Sequence, residues 1–229
     1  MTEILRAHAW GTNARMIAEA VVPLGYITGS VLDATYGQHG GFWKDWQPTR
    51  FTRNDLNAPD VDCAHDFRAF PWRDRHITTV VYDPPYKLNG TPAMGDFDQR
   101  FGTGERLTLA EKLAMIRDGA IECWRLADRW LLVKCQDQVV GGHLQWMTRM
   151  IVDELVARGA VLHDQFVFLY KPIPQPARRC RACRGVGALP MLSDEVTCTA
   201  CDGEGKVACR QEHTRANFST LLVFRKPSR

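Results

Sequence analysis

Apolar side chains recur at Met16, Ile17, Ala20, Val21 and Leu24, a spacing that predicts a helix within residues 13–24. Ser30 to Thr35 then reads as a buried strand running into a Gly-rich turn, and Arg50 to Arg53 as a second short strand. Thr78 to Tyr82 is strongly β-forming and stops at two prolines, which cannot extend a central strand. Residues 87–107 are polar, rich in Gly and Pro and without a period, so they predict a long functional loop or lid. Thr108-Leu109-Ala110-Glu111 is a capping-box pattern. It opens a helical stripe through Leu109, Leu113, Ile116, Ala120 and Trp124. Trp130 to Val133 predicts the next strand, Leu144, Met147, Ile151 and Leu155 a helix, and Gln165 to Tyr170 another strand. Ser219 to Phe224 predicts the last strand. Between the final two strands, residues 173–215 are rich in Cys and Gly.

Strands alternating with helices imply an α/β fold, doubly wound around a mostly parallel sheet. Sheets of this kind place their sites in loops at the C-terminal ends of the strands. The chain has 229 residues, 45% hydrophobic and 24% charged, which excludes a largely disordered protein and allows one domain with a small appendage. The N-terminus has no basic stretch followed by an apolar run, and the longest apolar runs are far below the ~20 residues a spanning helix needs. The expectation is a soluble, cytoplasmic protein with no membrane partner. Its eight cysteines are then thiols or metal ligands rather than disulfides.

Four candidate segments at strand ends carry chemistry. In the first, from Asp33 through Thr35, Gly37, Gly40 and Gly41, glycines let the backbone approach a ligand; taken alone it is a weak signal, since such a loop is often only a turn. Asp55 lies about twenty residues farther on, where an acid accepts hydrogen bonds from ribose hydroxyls. Asp66 and Phe67 offer a carboxylate and a ring to an adenine. The sharpest signal is Asp83-Pro84-Pro85-Tyr86, directly after a strand. Its prolines fix the backbone, so the Asp83 carboxylate and the Pro84 carbonyl can converge on a planar amino group with two N–H donors, with Tyr86 stacking on the ring that bears it.

On these motifs the chain resembles the Rossmann-like, S-adenosylmethionine-dependent amino-methyltransferases that carry a D-P-P-Y motif, over residues 8–172 and again 215–226. The resemblance implies a mostly parallel seven-stranded sheet ending in an antiparallel β-hairpin. It implies that Asp33, Thr35, Gly37 and Gly40 surround the methionine part of the cofactor, Asp55 the ribose, and Asp66 and Phe67 the adenine. Asn13, with His8 and Trp10, falls where the family has a further cofactor-contacting segment. Asp83, Pro84, Pro85 and Tyr86 become the catalytic motif. The family's first loop has two glycines separated by one residue, whereas Gly37 and Gly40 are separated by two, so which glycine plays which part stays open. Aspartate at the head of the motif favours adenine over cytosine. The expected reaction is methyl transfer to the exocyclic amine of a flipped-out adenine in DNA. RNA or a protein glutamine is the alternative substrate, and a non-enzymatic zinc-knuckle interaction protein the second alternative.

Cys180, Cys183, Cys198 and Cys201 stand in two copies of C-x-x-C-x-G-x-G, a spacing that predicts one tetrahedral, structural zinc. The segment resembles half of the zinc region of DnaJ-type chaperones. Cys209 and His213 are spare potential ligands, and Cys63, Cys123 and Cys135 are expected to be plain thiols. The expected organisation is a methyltransferase domain of residues 1–172 and 215–229, with 173–214 as a zinc-binding insertion. Whether that insertion reads the target or only staples a loop is open from the sequence. Charge separates the two parts. Residues 1–172 hold 19 Lys+Arg and 21 Asp+Glu, a net of −2, and residues 173–229 hold 10 and 5, a net of +5.

Overall fold

The hydrophobic runs resolve into strands buried on both faces, as a sheet covered by helices requires. The structure is a computed structural model and describes residues 11–38, 40–85, 88, 107–169, 177–190, 195–208 and 218–228. The chain forms two compact units, Met1–Tyr170 with Phe218–Arg229, and Lys171–Asn217.

In the first unit, α1 (Asn13–Met16) is capped by Thr12, whose side chain accepts from the Arg15 N–H, and continues as a π-turn over Ile17–Val21. The strands β1 (Ser30–Asp33), β2 (Arg50–Arg53) and β3 (Ile77–Tyr82) follow. Helix α2 (Leu109–Leu126) starts at the expected capping box, in which the Thr108 N–H donates to Glu111 and the Glu111 N–H to Thr108. Next come β4 (Ala127–Cys135), a hairpin of β5 (Gln138–Val140) and β6 (His143–Gln145), α3 (Met147–Val156) and β7 (Val161–Leu169). The second unit contributes β8 (Ala177–Arg179), β9 (Ala188–Pro190), β10 (Glu195–Thr197) and β11 (Lys206–Ala208), and β12 (Phe218–Arg225) returns to the first.

The central sheet has the order β2-β1-β3-β4-β12-β7. The first four strands are mutually parallel, and β12 runs antiparallel to both β4 and β7. The terminal antiparallel hairpin is therefore present, and the described residues give six strands where the family resemblance implied seven. Alternate residues face opposite ways. Leu32, Val80, Tyr82, Leu131, Val133 and Leu222 pack on one face beneath α2 and α3. Val31, Val81, Leu132, Leu221 and Val223 pack on the other beneath the π-turn, Phe42 and Trp43.

Helix α3 begins at Met147, three residues later than its stripe implied, because Leu144 belongs to β6. No helix among the described residues is long and apolar enough to cross a membrane.

Candidate functional site

The C-terminal ends of β1, β2 and β3 meet at a cavity of about 280 Å³. Thr35, Asn54, Asp55, Asp66, Arg68 and Asp83 form its polar lining; Phe67, Pro85, Leu107 and Met115 form much of its apolar wall. Six of the residues singled out from sequence, Thr35, Asp55, Asp66, Phe67, Asp83 and Pro85, thus share one space. Asp33, Gly37, Gly40, Asn13 and Pro84 are not among its lining residues. Tyr86, His8, Trp10, Cys209 and His213 lie outside the described residues, as does most of the 87–107 loop.

Several lining groups are held by backbone. Thr35 Oγ1 accepts from the Asp83 N–H at 2.9 Å, tying the first loop to the Asp83-Pro84-Pro85 turn. Asp55 accepts from the N–H groups of Asn57 and Ala58 at 2.8 Å and of Gly37 at 3.0 Å. Gly37 has φ +70°, a left-handed conformation that favours glycine. Asn54 is fully buried; its amide donates to the Ala34 and His65 carbonyls and its oxygen accepts from the His65 N–H. Asp66 is paired with Arg68 through two-pronged hydrogen bonds, which hold its carboxyl below the usual range. Phe67 packs against Tyr82, with ring centroids 5.5 Å apart.

Two carboxylates differ in their environments. Asp33 is 2% exposed; Oδ2 accepts from the Trp43 indole N–H at 2.6 Å and Oδ1 from the Thr35 N–H at 3.0 Å. Burial pushes its carboxyl up to about 7; the Trp43 and Thr35 hydrogen bonds oppose this, and the charges of Asp83 and Asp55 add to it. Asp83 is also raised by burial, and Lys134 opposes the shift. Its Oδ1 is buried and has no hydrogen-bond partner among the described residues. An acceptor left this way costs free energy unless a ligand satisfies it. Asn13 Oδ1 is unpartnered in the same sense.

The cavity suits a nucleoside: Asp55 retains lone pairs beyond its three backbone bonds, and Phe67 and Met115 supply apolar surface to a flat ring. Lys134 is the functional candidate that sequence reasoning missed. It sits inside a β-forming run, and only the sheet order brings it beside the motif.

The second unit is built as two like halves. The Cys180 N–H donates to the Gly205 carbonyl and the Cys198 N–H to the Gly187 carbonyl, both at 2.8 Å. Gly185, Gly187, Gly203 and Gly205 all have positive φ, and a Cβ at Gly187 would meet the Gly203 carbonyl. The sulfurs of Cys180, Cys183, Cys198 and Cys201 lie within 4.8 Å of one another, with the 180–198 pair at 3.9 Å and the 183–201 pair at 3.6 Å. A tetrahedron with Zn–S near 2.3 Å has S···S edges of about 3.8 Å, so this cluster can hold a zinc ion. The Gly187 N–H donates to Cys183 Sγ at 3.2 Å. Burial would raise the Cys183 thiol, but N–H groups of Gly187 and Gly185, with the thiols of Cys201 and Cys180, bring it down to about 6. Among the described residues, Leu189 and Val207 are the partly buried hydrophobics packed against the four cysteines. Cys123 and Cys135 are buried and Cys63 is half-buried, and all are free thiols.

No protein-family model and no curated protein matches this chain. Several solved structures do. One is a protein from Bacillus halodurans provisionally named a methyltransferase (12% identity, 91% of this chain and 97% of that one, TM-score 0.46). Another is an S-adenosylmethionine-dependent methyltransferase from Archaeoglobus fulgidus (9% identity, 94% and 95%, TM-score 0.45). A third, from Thermus thermophilus, is provisionally named a DNA modification methylase (14% identity, 69% of this chain and 48% of that one, TM-score 0.37). This chain spans about half the length of the Thermus protein.

Proposed function

We propose that this protein is an S-adenosylmethionine-dependent methyltransferase that modifies the exocyclic amino group of adenine in DNA. The observation that carries the reading is the buried, unpartnered Oδ1 of Asp83 at the edge of a cavity that can take a nucleoside. Residues 1–172 and 215–229 form the methyltransferase domain, and 173–214 the zinc-binding insertion.

The cofactor, when bound, supplies an electrophilic methyl group. Asp55 would hold its ribose, Asp66 and Phe67 its adenine, and the loop of Asp33, Thr35, Gly37 and Gly40, with Asn13, its methionine part. An amine conjugated to a purine is a poor nucleophile, because its lone pair is delocalised into the ring. The Asp83 carboxylate and the Pro84 carbonyl would each accept one of its N–H groups and draw the nitrogen toward a tetrahedral shape. Thr35, by accepting from the Asp83 N–H, keeps this acceptor set before substrate arrives. Pro85 stiffens the turn, and Tyr86 would stack on the flipped base. The zinc is structural, since four thiolates leave no open position for water. The excess positive charge of residues 173–229 favours DNA phosphates as their partner.

Radiolabelled methyl transfer to DNA, RNA and protein, followed by mapping of the modified group, tests the reading. Label on N6 of adenine in DNA supports it; label confined to RNA or to a protein amide refutes it.

A further inference from the structure

A lysine side chain is rarely fully buried, because removing its charge from water is costly. Lys134, in β4, is 2% exposed. The strand registers place Asp33, Val81 and Leu132 level with one another across β1, β3 and β4. Carrying the β3–β4 register one residue past its last pair, Tyr82 with Val133, sets Asp83 beside Lys134. Side chains alternate along a strand, so Asp83 faces with Val81 and Lys134 with Leu132, both of which belong to the same buried cluster. The two opposite charges therefore leave the same face of the sheet at neighbouring strand ends.

Two rings close in on the ammonium. Its Nζ is 5.6 Å from the centroid of Phe42, in the loop after β1, and 6.0 Å from that of Phe168, in β7. Such walls exclude water and lengthen the reach of the charge. Asp83, whose Oδ1 is buried with no partner among the described residues, is acted on by that charge.

We propose that Lys134 is a positioning residue for Asp83: its ammonium keeps the carboxylate ionised, and so able to accept from an amine rather than donate. This rests on the reading of Asp83 as the group that holds the target amine. Burial alone pushes Asp83 up, and Lys134 is the charge that opposes it. Among the described residues, Asp33 on β1 and Cys135 on β4 also interact with Asp83. Burial pushes the Cys135 thiol up to about 12, so it stays neutral, and Asp33, at about 7, is largely neutral in mild acid. Among the described residues Lys134 is therefore the charge that opposes burial at Asp83.

The test is site-resolved carbon NMR titration of the Asp83 carboxyl in the full chain, assigned with Asp83→Asn, for the wild type, Lys134→Met and Lys134→Arg. In the wild type Asp83 should be ionised at pH 7 despite its burial; a protonated Asp83 there overturns the proposal without recourse to any variant. In folded Lys134→Met its titration should move to higher pH by about one unit or more. The acid limb of methyl transfer should follow, with cofactor affinity unchanged, and Lys134→Arg should restore both. An unmoved Asp83 in Lys134→Met overturns the pairing. If the titration shifts but the wild type methylates no amine, the pairing stands and the assigned reaction fails.

Discussion

The indole N–H of Trp43 donates to Asp33 Oδ2 across 2.6 Å, inside the core and ten residues from the strand end that carries the acid. This bond draws one carboxylate oxygen toward Trp43 while the other accepts the Thr35 N–H, so both are engaged by protein groups. Trp43→Phe keeps most of the ring volume and removes the donor. It should lower stability by about 1–3 kcal/mol, read from chemical denaturation.

The same carboxyl makes stability depend on pH. It titrates at about 7 in the fold and near the ordinary carboxylate value when unfolded. Between those values the native state binds more protons, so this group's contribution falls as pH rises from about 4 to about 7. Asp33→Asn should flatten that slope, and its stability relative to wild type should be greater at pH 8 than at pH 5. Parallel curves for the two proteins would remove Asp33 from the titration.

Asp83→Ala removes the unpartnered acceptor and leaves the groups assigned to the cofactor in place. Methyl transfer should drop by about a hundred-fold or more, while cofactor affinity by calorimetry stays near the wild-type value. Near-normal turnover would rule out the proposed role of Asp83.

Gly119, on α2, sits where the helix approaches Tyr82 and Phe67. A Cβ there would overlap the Tyr82 hydroxyl and come within 2.6 Å of Phe67 Cδ2. The Tyr82 hydroxyl also donates to the Ile116 carbonyl, so it cannot yield without losing that bond. Gly119→Ala should cost about 1–3 kcal/mol and weaken cofactor binding through Phe67. Thermal unfolding and cofactor titration read the two effects separately.

Among the described residues of the second unit, the four cysteines are the buried centre and only Leu189 and Val207 pack against them, so metal binding is expected to drive its folding. Chelation, or Cys198→Ser, should remove its NMR signals from the folded range while the central sheet stays intact. Elemental analysis should return one zinc per chain.

Much of this architecture is legible in the sequence because local signals agree with it. The run to Tyr82 ends at Pro84, Thr108 and Glu111 close both arms of the capping box, and the cysteine spacing brings four sulfurs together. The hairpin Gln138–Gln145 was not read, although Gly141 and Gly142 adopt the two positive φ angles of a tight turn. Leu144 fits the helical stripe beyond it equally well. Asp128 and Arg129 hid the start of β4, since both are exposed and polar. Lys134 could not be read because Phe42, Asp83 and Phe168 reach it only through the order of strands in the sheet. A sequence period can say that a residue is inside; it cannot say which distant charge it will meet there.

The pairing of Leu169 with Phe218 has a consequence for how the chain folds. Strand β12 lies between β4 and β7, yet 48 residues separate it from β7 in sequence. Joining the two ends of a flexible segment that long costs about 3 kcal/mol of chain entropy before any strand contact repays it. Four thiolates gathered on one ion take the stretch from Cys180 to Cys201 out of that loop and bring its ends closer in advance. Metal supply then becomes a kinetic variable for the central sheet: refolding with zinc present should complete the β7–β12 pairing sooner than refolding without it.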